Sequence, residues 1–195
     1  TGIAMLIADE LDADWSSVRA EHAPADEAFT NPILGRQHTG GSTAIRGFWP
    51  IVRKAGAIGR DMLVHAAARQ WDIHPDDCHT ENGAVIHEAC DHHDLRYGDL
   101  AEAASELPIP ETVFLKEPDE FVLIGKSLPR LDIPDKVMGR TVYGMDFAVP
   151  DMCIAVVARG PRYGAIPESH DKNAAMAVKG VAAVVPFENR IAVCA

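Results

Sequence analysis

The sequence predicts a mixed α+β chain of the α/β class, organised in two regions, and three observations carry that expectation. A long amphipathic run ending near Trp71 has helical periodicity, an Asn82-Gly83 pair separates two short β-type runs, and from Phe121 onward the texture changes to short β-rich segments. Composition agrees with a folded chain. Its 195 residues, 47% hydrophobic, 24% charged and 6% aromatic, lie in the ordinary globular range and suffice for one good core or two small ones.

Ile3, Leu6, Ile7 and Leu11 recur at helical spacing, and Asp12 to Trp15 closes that helix. The next run, SVRAEHA, alternates partly in polarity and reads as a short strand. Pro24 to Thr39, with two prolines, a glycine and few apolar side chains, reads as a long surface loop. Thr39-Gly40-Gly41-Ser42-Thr43 follows and leads into a helix whose stripe is Ile45, Trp49, Val52, Met62, Leu63, Ala66 and Ala67. Pro50 leaves two starts open, one at Ser42 with a kink and one near Trp49 with the proline in the first turn. CHTE-NG-AVIH is a two-residue hairpin, Leu95 to Tyr97 a strand, and Asp99 the N-cap of a short Ala-rich helix. Pro108, Pro110 and Pro118 mark an extended connector. FVLIG, TVYGMDF, CIAVVAR, VAAVV and IAVCA then read as β runs, with one helix at Asp171 to Val178. The composition shift near Gly125 to Pro129 divides the chain into regions 1–126 and 127–195.

Charge narrows the function classes. The net charge of −11 and the lack of any Lys/Arg run argue against nucleic acid and anionic membrane as partners, and no apolar stretch approaches the roughly 20 residues of a membrane span. Four irregularly spaced cysteines, at 78, 90, 153 and 194, leave the compartment open. The acidic total conceals a reversal: between Thr30 and Gln70, Arg36, Arg46, Arg53, Lys54, Arg60 and Arg69 face only Asp61, a net of +5. That basic segment surrounds the glycine-rich loop.

The run TGGSTAIR offers what a phosphate requires: Gly40 and Gly41 for close backbone approach, hydroxyls on Thr39, Ser42 and Thr43, the N–H groups of a helix start, and Arg46 one turn in. The same residues suit a plain glycine turn with Ser42 or Thr43 as N-cap. No Gly-Lys-Ser/Thr follows and the G-x-G-x-x-G spacing is absent, so the loop belongs neither to a Walker motif nor to a dinucleotide-binding Rossmann turn. Cys78, His79, His87, Cys90, His92 and His93 cluster around the hairpin, where a metal-binding module is one reading and a His-rich hairpin tip the other, since paired zinc-ligand spacing is missing. The serines lie in no nucleophile motif, Glu10 and Asp14 read as solvated helix surface, and the six methionines read as core filler. No catalytic residue is nominated. A helix-like opening at Thr1 and a strand-like stop at Ala195 lead us to expect a piece of a longer chain.

Taken together, TGIAMLIADELDADWSSVRAEHAPAD, GRQHTGGSTAIRGFW, RKAGAIGRDMLVHAAARQWDI, ENGAVIH and LIGKSLPRLDIPDKVMGRTVYGMDFAVPDMCIAVVAR resemble the large, molybdenum-binding subunit of the xanthine oxidase family, in the branch of the isoquinoline 1-oxidoreductase β-subunit, which includes relatives acting on aldehydes. The resemblance implies molybdopterin cytosine dinucleotide with molybdenum as cofactor, hydroxylation of an N-heterocycle or aldehyde with oxygen from water, and electron exit through a small [2Fe-2S] subunit. It implies that Thr39, Gly40, Gly41, Ser42 and Thr43, with Arg46, help to hold the phosphate-bearing part of the dinucleotide within part of a molybdopterin-binding domain. From Pro129 onward the chain resembles the beginning of an α/β hammerhead-like domain, with Gly139, Tyr143, Gly144 and Asp146 matching a structural run. The family's Gly-Gln-Gly and its late Gly-x-Gly-Glu, which supplies the glutamate base, are absent, so the chain by itself is expected to be inactive. The remainder of the large subunit is the implied partner, and the periplasm the implied compartment, with the cytoplasm as alternative. A scaffold module that kept the fold without the cofactor is the competing reading.

Overall fold

The computed structural model describes residues 1–89 and 94–195. It is mixed α and β, and divides into two compact units, Thr1–Gly139 and Arg140–Ala195. Among the described residues no helix is long and apolar enough to cross a membrane.

The first unit is built on two packed helices, α1 (Gly2–Glu10) and α2 (Thr43–Trp71). Strands β1 (Cys78–Glu81), β2 (Ala84–His87) and β3 (Asp94–Arg96) form an antiparallel sheet in that order. Helix α3 (Tyr97–Ser105) follows directly, and a short α4 (Ile133–Val137) lies near the end of the unit. Leu63, Ala66 and Ala67 of α2 meet Val85, Leu100 and Ala104 in the core, the small α2 side chains letting sheet and helix approach.

The hairpin register, Cys78 opposite His87 and Glu81 opposite Ala84, leaves Asn82 and Gly83 as a two-residue turn with φ of 47° and 76°. Both central residues are left-handed, as this tight turn demands. Replacing Gly83 by alanine is therefore expected to lower stability by about 1–2 kcal/mol, read as a shifted urea midpoint with unchanged slope; an unshifted midpoint would contradict the turn assignment.

Several expectations change. Helix α2 begins at Thr43, so of the two starts the earlier one holds, and Pro50 lies inside the helix, where it leaves the Arg46 carbonyl without its usual donor. SVRAEHA forms no strand: the Asp14 carboxylate accepts from Ser16 N at 2.9 Å and turns Trp15–Ser17 into a single 3-10 turn, after which the backbone meets no partner strand. Asp99 sits in the first turn of α3 rather than at its N-cap, which is Arg96, because Tyr97 N is already held by the Gly83 carbonyl at 3.0 Å. FVLIG is no strand either, since the Asp9 carboxylate takes the N–H groups of Val122, Leu123 and Ile124. TVYGMDF instead contains a turn in which Asp146 accepts from Tyr143 N at 3.1 Å.

In the second unit, β4 (Ala155–Arg159), β5 (Ala183–Phe187) and β6 (Arg190–Cys194) form an antiparallel sheet in the order β4-β6-β5. Helix α5 (Lys172–Met176), shorter than the predicted Asp171 to Val178, is capped by the Asp171 carboxylate accepting from Ala174 N at 2.9 Å. Val156, Val193 and Val184 share one face of the sheet and Val157, Ala192 and Val185 the other. Val184 and Ala192 are buried, Val156 and Val185 exposed.

Candidate functional site

The glycine-rich loop stands at the N-terminus of α2, a 29-residue helix whose first N–H groups lack partners within the helix. Gly41 and Ser42 are both left-handed, at φ of 59° and 52°. Glycine adopts that conformation freely, whereas serine does so at a cost, so the turn is held by its surroundings. Neither hydroxyl acts as the plain N-cap: Ser42 occupies the capping position without a side-chain bond, and Thr43 Oγ1 instead donates to the Gly40 carbonyl at 2.7 Å. Thr43 is buried, while Thr39, Gly41, Ser42 and Arg46 are exposed and Gly40 is half-buried. Arg46 makes no ion pair among the described residues, which leaves its charge available beside the helix start.

Two loop residues escaped the sequence reading. His38 lies over Gly40, where a Cβ would come within 2.5 Å of the imidazole Nε2. Asn31 is 1% exposed and receives Ile33 N and Leu34 N on its Oδ1 at 3.0 and 3.3 Å. The Asn31-Pro32 dipeptide ahead of Gly35 is a turn signal that could have singled it out.

A second constellation lies at the C-terminal end of α1, and it overturns the expectation that Glu10 is solvated surface. Asp9 and Glu10 are 1% and 0% exposed. Helix α2 crosses α1 so closely that a Cβ on Gly56 would stand 2.8 Å from both Glu10 Cβ and the Ile7 carbonyl oxygen, leaving no room for water. The buried carboxylates are matched instead. Glu10 Oε1 accepts from Arg53 at 2.6 Å, Glu10 Oε2 accepts from Lys116 N at 3.2 Å, and Lys116 Nζ donates to Asp12 and lies 3.5 Å from Asp9. The Arg53 guanidinium packs in the corner formed by the edge-to-face rings of Trp49 and Phe121, 5.1 Å from each centroid, and donates to the Lys116 carbonyl. Arg60 lies 3.8 Å from Glu10 and donates to the Phe114 carbonyl at 3.0 Å. Asp12 also accepts from Thr80 Oγ1 at 2.7 Å, and Tyr97 donates to the Leu11 carbonyl at 2.6 Å. Burial, with the Asp12 charge adding, pushes the Tyr97 phenol well above its ordinary range and keeps it a neutral donor. Among the described residues no buried side-chain polar atom lacks a hydrogen bond.

Beside this network opens a cleft of about 420 Å³, lined by Ala57, Arg60 and Val64 of α2, by Cys78 to Thr80, and by the connector around Phe114 and Lys116. At 1.5 Å per residue, Arg60 stands roughly 25 Å along α2 from Thr43, so cleft and loop are separate places on one helix. Within the cleft the Cys78 thiol is pushed up by burial and, to a lesser extent, by Asp77 and Glu88, which keeps it protonated and a poor nucleophile.

The Cys/His cluster is only partly in view. Cys90, His92 and His93 lie outside the described residues. His79 faces the Glu88 carboxylate at 3.8 Å, His87 stacks on Trp71 at 5.9 Å, and no group of three His, Cys, Asp or Glu side chains able to hold a metal ion occurs among the described residues.

No protein-family model matches the chain. It is 34% identical to the beta subunit of isoquinoline 1-oxidoreductase of Brevundimonas diminuta, over 99% of this chain and 29% of that protein. It is 34% identical to the membrane-bound aldehyde dehydrogenase (pyrroloquinoline-quinone) of Gluconacetobacter polyoxogenes, over 92% of this chain and 23% of that one. A nicotinate dehydrogenase subunit of Pseudomonas putida is 29% identical over 100% of the chain and 17% of its own length. The chain thus spans less than a third of each of these relatives.

Proposed function

Because this chain belongs, over nearly its whole length, to the xanthine oxidase family of large subunits, we propose that it contributes an anion-binding loop to a molybdenum-dependent oxidoreductase acting on an N-heterocycle or an aldehyde. The observation that carries this reading is the exposed Arg46, without an ion pair among the described residues, beside the exposed Gly41-Ser42 turn at the start of α2. These residues fit a diphosphate: the helix N–H groups and dipole favour negative charge, the exposed Gly41 admits close approach, and Arg46 supplies a planar donor set. Thr39 and Ser42 add exposed hydroxyls, while the His38 imidazole fills the space a side chain on Gly40 would take. Thr43 supports the loop from inside.

The group proposed for the loop is molybdopterin cytosine dinucleotide, which when bound supplies the metal centre that oxidises the substrate carbon, with electrons passing to a [2Fe-2S] partner subunit. This chain's own residues do the binding and positioning. Among the described residues none is nominated for proton transfer, and in the proposed assembly the base comes from outside these 195 residues. The periplasm is the proposed compartment.

The test uses the complete large subunit assembled with its partner. Arg46→Ala combined with Ser42→Ala is expected to lower molybdenum and cytosine nucleotide content per subunit several-fold, about the effect of losing two anion contacts; unchanged content overturns the loop assignment. An assembled complex that contains neither molybdenum nor the dinucleotide overturns the molybdenum-enzyme reading. Pyrroloquinoline quinone in their place favours the cofactor named for the Gluconacetobacter relative, and an empty complex favours a scaffold.

A further inference from the structure

The shape of the loop is held by a residue outside it. Asn31 Nδ2 donates to Thr43 Oγ1 at 2.9 Å and to the His38 carbonyl at 3.4 Å, while its Oδ1 receives Ile33 N and Leu34 N. A primary amide offers two N–H donors and one oxygen with two lone pairs, so the whole side chain is engaged. Its backbone is fixed as well, with Asn31 N donating to the Arg36 carbonyl at 3.1 Å and the Asn31 carbonyl accepting from Gly35 N at 2.9 Å. Thr43 Oγ1 continues the chain of bonds to the Gly40 carbonyl at 2.7 Å.

One buried side chain therefore ties together the 31–36 turn, the backbone entering the loop at His38 and the first residue of α2. Between those tied points run only residues 39–42, which include the left-handed pair Gly41 and Ser42. A short link pinned at both ends has few alternative conformations, so most of the ordering cost of holding an anion is met when the chain folds rather than when the ligand arrives.

We propose that Asn31 is the positioning residue of the anion loop, presetting Gly41 and Ser42 through Thr43 without itself touching the ligand. This rests on the loop assignment made above. Asparagine is required because it donates and accepts at once. Aspartate has the same shape and keeps the acceptor for Ile33 and Leu34, but cannot donate to Thr43 or His38. Thr43 acts as a relay, since its hydroxyl is buried and engaged on both sides.

In the assembled enzyme with a full-length subunit, the rate at which cytosine nucleotide is lost on warming is measured for Asn31→Asp, Thr43→Val and the double variant. Each single change is expected to speed loss about tenfold, the scale of one buried hydrogen bond, with the double variant faster than either but well short of the product of the two, because the Asn31–Thr43 bond is shared while the bonds to the His38 and Gly40 carbonyls are not. Thr43→Ser, which keeps the hydroxyl, is expected to rescue slow loss. Gly83→Ala is the control, because it destabilises the same unit at the hairpin. Equal acceleration by Gly83→Ala at a matched thermal midpoint overturns the proposal, as does strict additivity of the two loop variants. If Asn31→Asp fails to fold, Thr43→Val against Thr43→Ser decides, and equal loss rates for that pair overturn it. Should Arg46→Ala with Ser42→Ala leave cofactor content unchanged, the loop assignment itself falls. Should that pair lower content while Asn31→Asp and Thr43→Val do not speed loss, only the role of Asn31 falls.

Discussion

Replacing Glu10 by glutamine is expected to destabilise the first unit by about 3–5 kcal/mol, the cost of leaving a buried charge without its partner. The side chain is fully buried, and its carboxylate bonds to Arg53 at 2.6 Å and to Lys116 N at 3.2 Å. Glutamine keeps the volume and removes the charge. The glutamine oxygen can still accept from Arg53, but the guanidinium, packed against Trp49 and Phe121 and donating to the Lys116 carbonyl, loses the counter-charge that bonded it. Asp9 cannot take over, because its oxygens already hold the three N–H groups of residues 122–124. Urea unfolding followed by circular dichroism would register the loss, and a change below about 1 kcal/mol, the range of an exposed pair, would show that water reaches the site. Adding Arg53→Met to the glutamine variant is expected to recover part of the stability, since an apolar side chain of similar length carries no charge to leave unmatched.

Gly56→Ala carries the second large effect. Alanine normally improves a helix position held by glycine by up to about 1 kcal/mol. Here the added methyl would stand 2.8 Å from the Ile7 carbonyl oxygen and 2.8 Å from Glu10 Cβ, neither of which is the free end of a flexible side chain. Helix α1 has to move, and with it the carboxylates that hold the connector. A net loss at the upper end of the usual overpacking range, about 3 kcal/mol, is expected. Gly59→Ala provides the contrast: its new methyl meets only Leu11 Cδ1 at 2.8 Å, a terminal carbon that a rotamer change moves aside. That variant is expected to stay within about 1 kcal/mol of the parent. Similar midpoints for the two variants would refute the close crossing.

What the sequence makes legible follows from how far each interaction reaches. Helix α2 and the Asn82-Gly83 hairpin are local patterns, and both stand where the periodicity and the turn chemistry place them. The three last β runs behave likewise. The acidic end of α1 does not, because its partners lie 43 and 106 positions away at Arg53 and Lys116, and nothing local distinguishes a paired carboxylate from a solvated one. A trace of it was available: Trp49, Arg53, Gly56 and Arg60 recur at helical spacing, which puts two arginines on the face of α2 that also carries a glycine. FVLIG failed for the same reason in reverse, since a distant aspartate claims the N–H groups a strand would have used. In the loop, Gly41 and Ser42 are legible as residue types, whereas the Asn31-Pro32 pair marks a turn but not that Asn31 is buried with four side-chain bonds, two of them to residues 7 and 12 positions away.

The length of α2 has a mechanical consequence. Thr43 lies thirteen positions from Gly56, about 20 Å along the axis, so a tilt of about 5° pivoting on the crossing swings the loop by about 1.7 Å. A displacement of about 1 Å is already enough to spoil a positioned contact. The helix is thus a lever arm with its fulcrum at a glycine, and a substitution deep in the α1–α2 contact would present itself, in an assay that scores only cofactor content, as a lesion of the proposed anion loop, which it never touches.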